Sequence, residues 1–468
     1  MPYLSYAIRP THVSNLQLIG RLFGMQPPDC RRSRVLEIGG ASGGNLLPMA
    51  VALPDSEFLC LDPSVRQIEE GRRHAAALGL KNLRFDARSI EALGRKVQFD
   101  YIICHGVFSW VRPAVQDAIL KALQNCLAAN GIAFVSYKTL PGWHAHRALR
   151  EVLLRHCARD PRPGTTAARA RQMLQLLEKA AQDPRSHWGP HLVAEIRDLQ
   201  ASADEFLLHD QLEEYTEAFY FGDFMARAHA HGLQYLGDAD LQTMYIGNVP
   251  PGIPPDVAMG DDVEAIEQYT DFALNRLFRQ TLLCRDSVGL NRMLAREAVD
   301  SCYVQSLLAP QSRDTFRSPG GTTLTTADPV AQEILLALAR HGAFPVSAQT
   351  VIAELCASMP DPEAVQATFR RMVLQTFFAG ALQLYSLPPA YVAAPSARPR
   401  ALPWARYEAT YRPAVTNGRH ETMQLSDFDR ALFLKLDGTR DVADLARELG
   451  NEVQPALERL AQATLLCA

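Results

Sequence analysis

The stretch that decides the fold is Ser33-Arg34-Val35-Leu36-Glu37-Ile38-Gly39-Gly40-Ala41-Ser42-Gly43-Gly44-Asn45. Its apolar run predicts a buried parallel strand that enters a tight glycine turn, and the residues after the turn have helical composition. A second short strand follows at Phe58 to Leu61, and Asp62 comes directly after it. This order of strand, glycine turn, helix, strand and acid is typical of a nucleotide-binding βαβ unit.

The residues of this unit predict particular contacts with a nucleotide. Gly39 and Gly43 let the backbone approach a ligand closely, and the helix that follows offers free N–H groups at its N-terminus. Asp62 is placed to accept hydrogen bonds from two ribose hydroxyls. The glycine spacing is a loose match to the dinucleotide fingerprint, so a nicotinamide nucleotide and a turn without a ligand remain alternatives. Glu37, and a predicted fourth strand within residues 99–106, favour S-adenosylmethionine.

Composition and charge narrow the class of protein. The 468 residues suffice for two to four domains, and the net charge of −4 gives no long-range attraction for nucleic acid. The nine cysteines are scattered without zinc spacing, so we expect no metal and a reducing, cytoplasmic location. No signal peptide is evident, and no run of about eighteen apolar residues predicts membrane insertion.

The pattern along the chain predicts three parts. Residues 1–240 form an α/β core, within which residues 145–205 are a helical insertion that covers the site or mediates self-association. Residues 241–320 form a helical middle domain after a proline-rich link, and residues 321–468 form a C-terminal winged-helix-like domain with near-neutral charge.

Three local predictions belong to these parts. The core closes with a strand at Phe206 to His209, a helix at Tyr220 to Ala230 and a last strand at Gly232 to Leu236. Glu267 to Arg285 is expected to be one charged helix. Before the first strand, Thr11 caps a helix, and the residues that precede it either pack ordinarily or fold over the mouth of the βαβ unit.

Short motifs in a fixed order resemble a known family. They are Thr11-His12, Gly43 to Leu46, His105 to Val111, Ser136-Tyr137, Pro141 to His144, Glu267 to Arg285, Val415 to Asn417, Arg419 to Thr422 and Leu436 to Arg440. On these motifs the chain resembles the bacterial methyltransferases that carry a regulatory domain after the catalytic core. It is most similar to their protein-lysine methyltransferase branch, whose members methylate outer-membrane proteins.

The resemblance implies a Rossmann-like class I fold with a mostly parallel seven-stranded sheet, S-adenosylmethionine as cofactor, and a homodimer with contacts from the helical insertion. It also implies a cofactor site. The methionine part lies near Glu37, Gly39 and Asn45, with Gly43 in the same loop, and Asp62 holds the ribose. The adenine lies beside Arg88 and Ser89, and His105 and Gly106 line the cofactor from the fourth strand.

Aromatic residues cluster after the fourth and fifth strands, where parallel sheets bind ligands. A desolvated aromatic pocket lowers the pKa of an acceptor lysine and stabilises cations. The candidates for this pocket are Tyr6, Phe108, Trp110, Tyr137 and Trp143, with core packing as the alternative for each. We expect Tyr6, Tyr137 and Trp143 to be catalytic, the tyrosine hydroxyls accepting or relaying the amine proton.

One departure from the family pattern lies beside this cluster. The family usually has Tyr-Asn-Thr after the fifth strand, whereas this chain has Tyr137-Lys138-Thr139. Lys138 would sit against an acidic group of the substrate or repel the sulfonium. The leading function is therefore lysine N-methylation of a protein substrate such as an outer-membrane protein. The alternatives are a small-molecule methyltransferase and a cofactor-binding scaffold or regulator without catalysis.

Overall fold

The computed structural model describes residues 5–94, 97–159, 165–183, 185–204, 207–244, 262–342 and 344–468. The predicted proline-rich link at residues 250–255, and Phe206 of the predicted sixth strand, lie outside the described residues. Among the helices that are described, none is both long enough and apolar enough to cross a lipid bilayer.

A large, mostly parallel sheet forms the centre of the fold. Its strands are β1 (Arg34–Ile38), β2 (Glu57–Leu61), β3 (Leu83–Asp86), β4 (Phe99–Cys104), β5 (Leu127–Thr139), β6 (Ala218–Phe219), β7 (Leu233–Asp238) and β8 (Phe278–Arg285). Seven of them lie in the order β3-β2-β1-β4-β5-β8-β7, and the short β6 pairs with the end of β5. Only β8 runs antiparallel to its neighbours β5 and β7. The Rossmann-like, mostly parallel sheet is confirmed, and the short β6 adds an eighth strand to the predicted seven.

Helices cover both faces of this sheet because its central strands are buried on both sides. They are α1 (Val13–Leu22), α2 (Leu46–Ala52), α3 (Val65–Ala77) and α4 (Pro113–Cys126). One hydrophobic core contains α1, α2 and α3, and the second contains α4. The ring of His12, and not the predicted Thr11, caps α1 by accepting a hydrogen bond from the Ser14 N–H.

The helical insertion is a separate small bundle. It consists of α5 (Trp143–Cys157), α6 (Thr166–Ala180) and α7 (Pro190–Ala201). Their apolar faces form a core of their own, centred on Leu153, Leu174 and Ile196. The bundle follows directly from the end of β5, so its first residue lies at the edge of the sheet where ligands bind.

Two predictions about the end of the core are wrong. Residues Leu207–Gln211 form a π-helical turn and not a strand, and β6 comes later. The predicted helix over Glu267 to Arg285 is a helix at Val263–Leu274 followed by β8. Asn275 ends that helix in the left-handed conformation, with φ of 48°. Because β8 lies between β5 and β7, the sheet extends well beyond residue 240, where the sequence placed its end.

The charged residues that resembled a helix surface are instead a buried cluster. The Arg279 side chain on β8 is fully buried and forms ion pairs with Glu267 and Asp271 at 2.8 Å each. Its guanidinium also lies 4.1 Å from the centre of the Phe221 ring. These ion pairs hold the helix Val263–Leu274 against β8 of the sheet.

The remainder of the chain forms two helical units. In the first, helices Pro329–His341, Ala348–Ser358 and Pro362–Phe378 pack beside a sheet of Tyr303–Ser306, Val346–Ser347 and Leu382–Tyr385. Strand Tyr303–Ser306 thus belongs to this unit, although the sequence placed a boundary at residue 320. A separate antiparallel sheet contains Ala309–Pro310, Thr315–Arg317 and Thr323–Thr325.

The last unit has a hydrophobic core of its own. Its helices are Pro403–Glu408, Asp427–Leu434, Val442–Leu449 and Val453–Gln462. Its two small antiparallel sheets are Arg400–Ala401 with Leu466–Cys467, and Ala414–Thr416 with Thr422–Gln424. The latter hairpin reaches back to the N-terminal segment of the chain, where Glu421 pairs with Arg9 and His420 packs against His12.

Candidate active site

The loop between β1 and α2 depends on glycine at the predicted positions. Gly39 has φ of +71°, and a Cβ there would collide with the Cγ2 atom of Val107 from the loop after β4. Gly43 has φ of +78°, and its Cβ would come within 2.7 Å of the Phe85 ring. The loop therefore lies against the ends of β3 and β4, and it presents its backbone at the carboxyl edge of the sheet.

Asp62 follows β2 at the same edge and holds the loop in place. One carboxylate oxygen accepts the Ala41 N–H at 3.0 Å, and the other accepts the Ser64 N–H at 2.8 Å. The side chain is 8% exposed. Because a carboxylate has about four acceptor positions, Asp62 retains capacity for the two ribose hydroxyls that the sequence assigned to it.

Glu37 on β1 has a buried oxygen that the described chain leaves without a partner. Its Oε1 atom accepts a 2.7 Å hydrogen bond from Asn45, whereas no described residue hydrogen-bonds to its Oε2 atom. Burial raises the pKa of Glu37 to about 7, the charge of Asp62 acts in the same direction, and the Asn45 hydrogen bond opposes both. A cationic amino group, such as that of the cofactor's methionine, fits the unsatisfied oxygen.

The Asn45 amide hydrogen-bonds to Glu37 and also to two distant parts of the chain. Its Oδ1 atom accepts the Ile8 N–H at 3.0 Å and a hydrogen bond from His420 at 2.8 Å. Its Nδ2 group also donates to Thr11 at 2.9 Å. Its amide therefore connects the N-terminal segment, Glu37 and the last unit, a set of contacts that the sequence did not predict.

Two histidines support this junction, of which His420 is buried and His12 is partly buried. The rings of His12 and His420 are 5.0 Å apart in an edge-to-face arrangement. Burial lowers the pKa of His12 to about 4, and burial together with His12 lowers the pKa of His420 well below its ordinary value. Both rings are thus neutral at physiological pH.

The N-terminal segment folds over the glycine loop, as one of the two sequence-based alternatives proposed. The Ser5 hydroxyl accepts the Gly44 N–H at 2.7 Å, and a Cβ on Gly44 would lie 2.5 Å from the Ser5 backbone. Arg9 extends the contact with an ion pair to Glu421 at 3.0 Å. Tyr6 lies within this covering segment and is 47% exposed.

The predicted adenine contacts lie on the loop after β3. Arg88 forms an ion pair with Asp86, and the Ser89 hydroxyl donates to Glu91 at 2.7 Å. Asp86 is a further residue at this position, which the sequence did not predict. Its carboxylate is at the carboxyl end of β3, in register with Leu61 just before Asp62.

The residues after β4 bring the cofactor loop close to β5. Gly106 has φ of +65° and donates its N–H to the Ser136 hydroxyl at 2.9 Å. The His105 ring packs 5.9 Å from Phe134 and 6.1 Å from Phe278. Burial lowers the pKa of His105 to about 4, so its ring is neutral.

Tyr137 is a packing residue, contrary to the catalytic role that the sequence assigned to it. Its ring stacks on Phe224 at 4.1 Å, and its hydroxyl is 2.9 Å from the Thr281 hydroxyl inside the core. Phe108 is also fully buried in this core. Because side chains alternate along β5, Tyr137 and Lys138 point to opposite faces of the sheet.

Two of the predicted aromatic residues do come together around Lys138. Its Nζ atom is 3.7 Å from the centre of the Trp110 ring and 3.9 Å from the centre of the Trp143 ring. Trp143 in turn stacks on His146 at 5.0 Å with nearly parallel rings. We call the space between the Trp110 and Trp143 rings the tryptophan cleft.

An exposed aromatic surface borders this cleft. Phe278 is opposite Lys138 in the register of β5 and β8 and is 40% exposed, and Tyr220 follows β6 beside Lys138. Phe272 joins Tyr220 to Tyr269 through edge-to-face ring contacts of 6.1 and 5.7 Å. We call Tyr220, Tyr269, Phe272 and Phe278 the aromatic rim. Within the described residues, no cluster of three metal-ligating side chains accompanies it.

Comparison with known proteins agrees with this geometry. Residues 36–133 match a family model described as a methyltransferase domain, and residues 203–285 match a predicted methyltransferase regulatory domain. Residues 397–463 match the C-terminal winged helix domain of PKMT. The chain is 32% identical over 464 residues to the uncharacterized protein RP789 of Rickettsia prowazekii, covering 94% of this chain and 83% of that protein.

A solved structure matches the entire chain. PKMT2 from Rickettsia typhi superimposes with a TM-score of 0.88 and 27% identity, covering 100% of both chains. Its complex with AdoHcy matches with the same TM-score and 28% identity, covering 99% of this chain and 100% of that one.

The sheet, the glycine loop and these matches define the protein as a class I S-adenosylmethionine-dependent methyltransferase. It belongs to the family of RP789, and it combines the methyltransferase domain with a regulatory domain and a PKMT winged-helix domain. The prediction of this class from the sequence motifs, with S-adenosylmethionine as cofactor and a resemblance to the PKMT branch, is confirmed.

Proposed function

We propose that this enzyme N-methylates lysine side chains of a protein substrate, such as an outer-membrane protein. The observation that carries the proposal is the aromatic rim, because exposed apolar side chains next to a reaction centre are suited to grip a polypeptide. Tyr269 and Phe272 are 50% and 46% exposed, although both are large aromatic residues. The full-length similarity to PKMT2 supports the same substrate class.

The positions of the candidate residues at the carboxyl edge of the sheet suggest a role for each in binding the cofactor. S-adenosylmethionine, when bound, supplies an electrophilic methyl group. Glu37 would hold the amino group of the cofactor's methionine part. The backbone of the loop from Gly39 to Gly43 would lie against that part, and Asp62 would hold the ribose. Asp86, Arg88 and Ser89 border the expected adenine position. The side chains mainly bind and orient the reactants, because an in-line displacement depends on alignment.

The acceptor amine must lose a proton before it attacks the methyl carbon. Burial against aromatic side chains favours the neutral amine, because it removes water from the ammonium form. Tyr6 is the remaining tyrosine candidate for the proton, since Tyr137 belongs to the core. Its place in the segment whose Ser5 hydroxyl accepts the Gly44 N–H supports this role.

A homodimer and a cytoplasmic location complete the proposal. Leu176 on α6 is 57% exposed, so the insertion offers an apolar side chain for contact with a second copy. All nine cysteines are free, which is typical of a reducing compartment.

The test is transfer of a labelled methyl group from S-adenosylmethionine to protein fractions, compared with transfer to a panel of small amines and alcohols. We expect label in lysine side chains of a protein band, and none when Asp62 is replaced by Ala. Asp55→Ala, at an exposed turn before β2, is the matched control. Label in small acceptors alone would favour the small-molecule alternative. Cofactor binding without transfer to any acceptor would favour a regulator.

A further inference from the structure

The tryptophan cleft already holds an alkylammonium group, that of Lys138. We propose that this cleft binds the ammonium group of the acceptor lysine before that group loses its proton, and that Lys138 occupies the cleft as an internal competitor when substrate is absent. The inference rests on the proposed function, because it assigns the acceptor's position within that reaction.

The geometry is that of a site built for an organic cation. The Nζ atom lies less than 4 Å from the centres of both indole rings, well within the range of cation–π attraction. The cleft is also shielded from water, since Lys138 is 4% exposed and Trp143 is 8% exposed. Each ring adds to the attraction for a cation, and the attraction is stronger where water is excluded.

The surrounding structure fixes both walls of the cleft. Trp143 is the first residue of α5 and stacks on His146 one turn later. On the other side, Ser109 accepts the Lys138 N–H at 2.9 Å, which ties the short helix that carries Trp110 to β5. The indole N–H of Trp143 is buried and has no acceptor among the described residues, which leaves a donor for a group brought by the substrate.

The segment after β4 connects the cleft to the cofactor loop. Val107 packs against Gly39, and Trp110 is three residues further along the same segment. Phe278 of the aromatic rim is opposite Lys138 in the strand register. A polypeptide that rests on the rim can therefore extend a lysine side chain into the cleft while its backbone stays outside.

Lys138 and the acceptor cannot occupy one cleft together, because like charges repel at this distance. The side chain of Lys138 is tethered and flexible, so it swings out when a substrate lysine enters. If Lys138 fills the cleft nine-tenths of the time, the apparent affinity for an external ammonium is reduced about tenfold. Lys138 thereby raises the substrate concentration that is needed to fill the cleft.

The test measures binding of free Nε-trimethyllysine by calorimetry, which requires no catalysis. We expect Lys138→Ala to bind this probe about tenfold more tightly than the wild type, with Lys138→Met as a second variant that retains side-chain bulk. Lys121→Ala, on the exposed face of α4, should bind as the wild type does. Adding Trp110→Ala to Lys138→Ala should abolish the gain. Retained binding of S-adenosylhomocysteine establishes that each variant is folded.

Equal affinity of wild type and Lys138→Ala for the probe, or a gain that survives Trp110→Ala, would overturn the inference. Appearance of labelled methyl on Lys138 itself would overturn it too, since Lys138 would then be an acceptor and not a competitor. Methylation of a protein substrate with an unchanged KM in Lys138→Ala contradicts only this inference. Tight probe binding without methylation of any protein contradicts only the proposed function.

Discussion

Replacement of Glu37 by Gln tests the electrostatics of the cofactor site directly. Burial raises the pKa of Glu37 from 4.5 to about 7 in the folded chain. Each pH unit between these values corresponds to about 1.4 kcal/mol, so ionised Glu37 costs the folded state about 3 kcal/mol. Glutamine has the same shape and retains the acceptor for the Asn45 amide, so it removes the charge without opening a cavity.

The direction of the pH dependence follows from which state binds the proton more strongly. Between pH 4.5 and about 7 the folded state keeps Glu37 protonated while the unfolded chain is ionised. The free energy of unfolding therefore falls as pH rises through this window, and it levels off above it. We expect Glu37→Gln to gain about 3 kcal/mol over the wild type between pH 4.5 and pH 8.

The assay is urea unfolding of both proteins across this pH range, followed by tryptophan fluorescence. Glu57→Gln, at the exposed first position of β2, is the matched control and should follow the wild type. A constant difference between Glu37→Gln and the wild type at every pH would refute the reasoning. If the amino group of the cofactor sits against the free oxygen of Glu37, a saturating cofactor should also lower the pKa of Glu37 and flatten the wild-type curve.

Three further predictions concern the other buried polar contacts. Arg279→Ala should lower the free energy of unfolding by about 3–5 kcal/mol in urea titrations, because it leaves Glu267 buried without its cation and Asp271 paired with Arg276 alone; a loss below about 1 kcal/mol would contradict this. Asn45→Ala should make the N-terminal segment more sensitive to proteases, since the Ile8 N–H and His420 lose their acceptor; unchanged proteolysis would argue against the junction. Asp62→Ala should weaken S-adenosylmethionine binding in calorimetry on the order of 100-fold, from two charge-assisted hydrogen bonds of about 1.5 kcal/mol each; a change below threefold would rule out Asp62 as the ribose ligand.

The βαβ unit was predictable because its signals are local. Glycines at the turn, an apolar run before them and an acid after the second strand are each required by the geometry of the loop. β8 was not predictable in this way, because its arginine and glutamine residues resemble those of an exposed helix. What makes it a strand is its pairing with β5 and β7, and the buried charge of Arg279 is satisfied by Glu267 and Asp271 from the preceding helix. Tertiary pairing of this kind overrides local composition.

The candidate site, too, could be predicted only in part from the local sequence. Tyr137 and Lys138 are adjacent in sequence, and the pattern alone did not decide which of them faces the cofactor edge. Because side chains alternate along a strand, only one of the two can face that edge. The packing partners decide which one: Tyr137 stacks on Phe224 in the core, and Lys138 lies in the tryptophan cleft. Asp86 was overlooked because strand ends are uncertain by a residue or more.

Asn45 explains why the last unit is part of the enzyme and not an appendage. Its Nδ2 group stabilises the ionised form of Glu37, and its Oδ1 atom accepts hydrogen bonds from Ile8 and His420. The amide cannot rotate to serve one set of partners without losing the other, because its donor and acceptor ends are both engaged. Docking of the His420 hairpin therefore fixes the orientation of the group that tunes the cofactor carboxylate. Displacement of that hairpin would remove the His420 hydrogen bond and free the amide to turn away from Glu37.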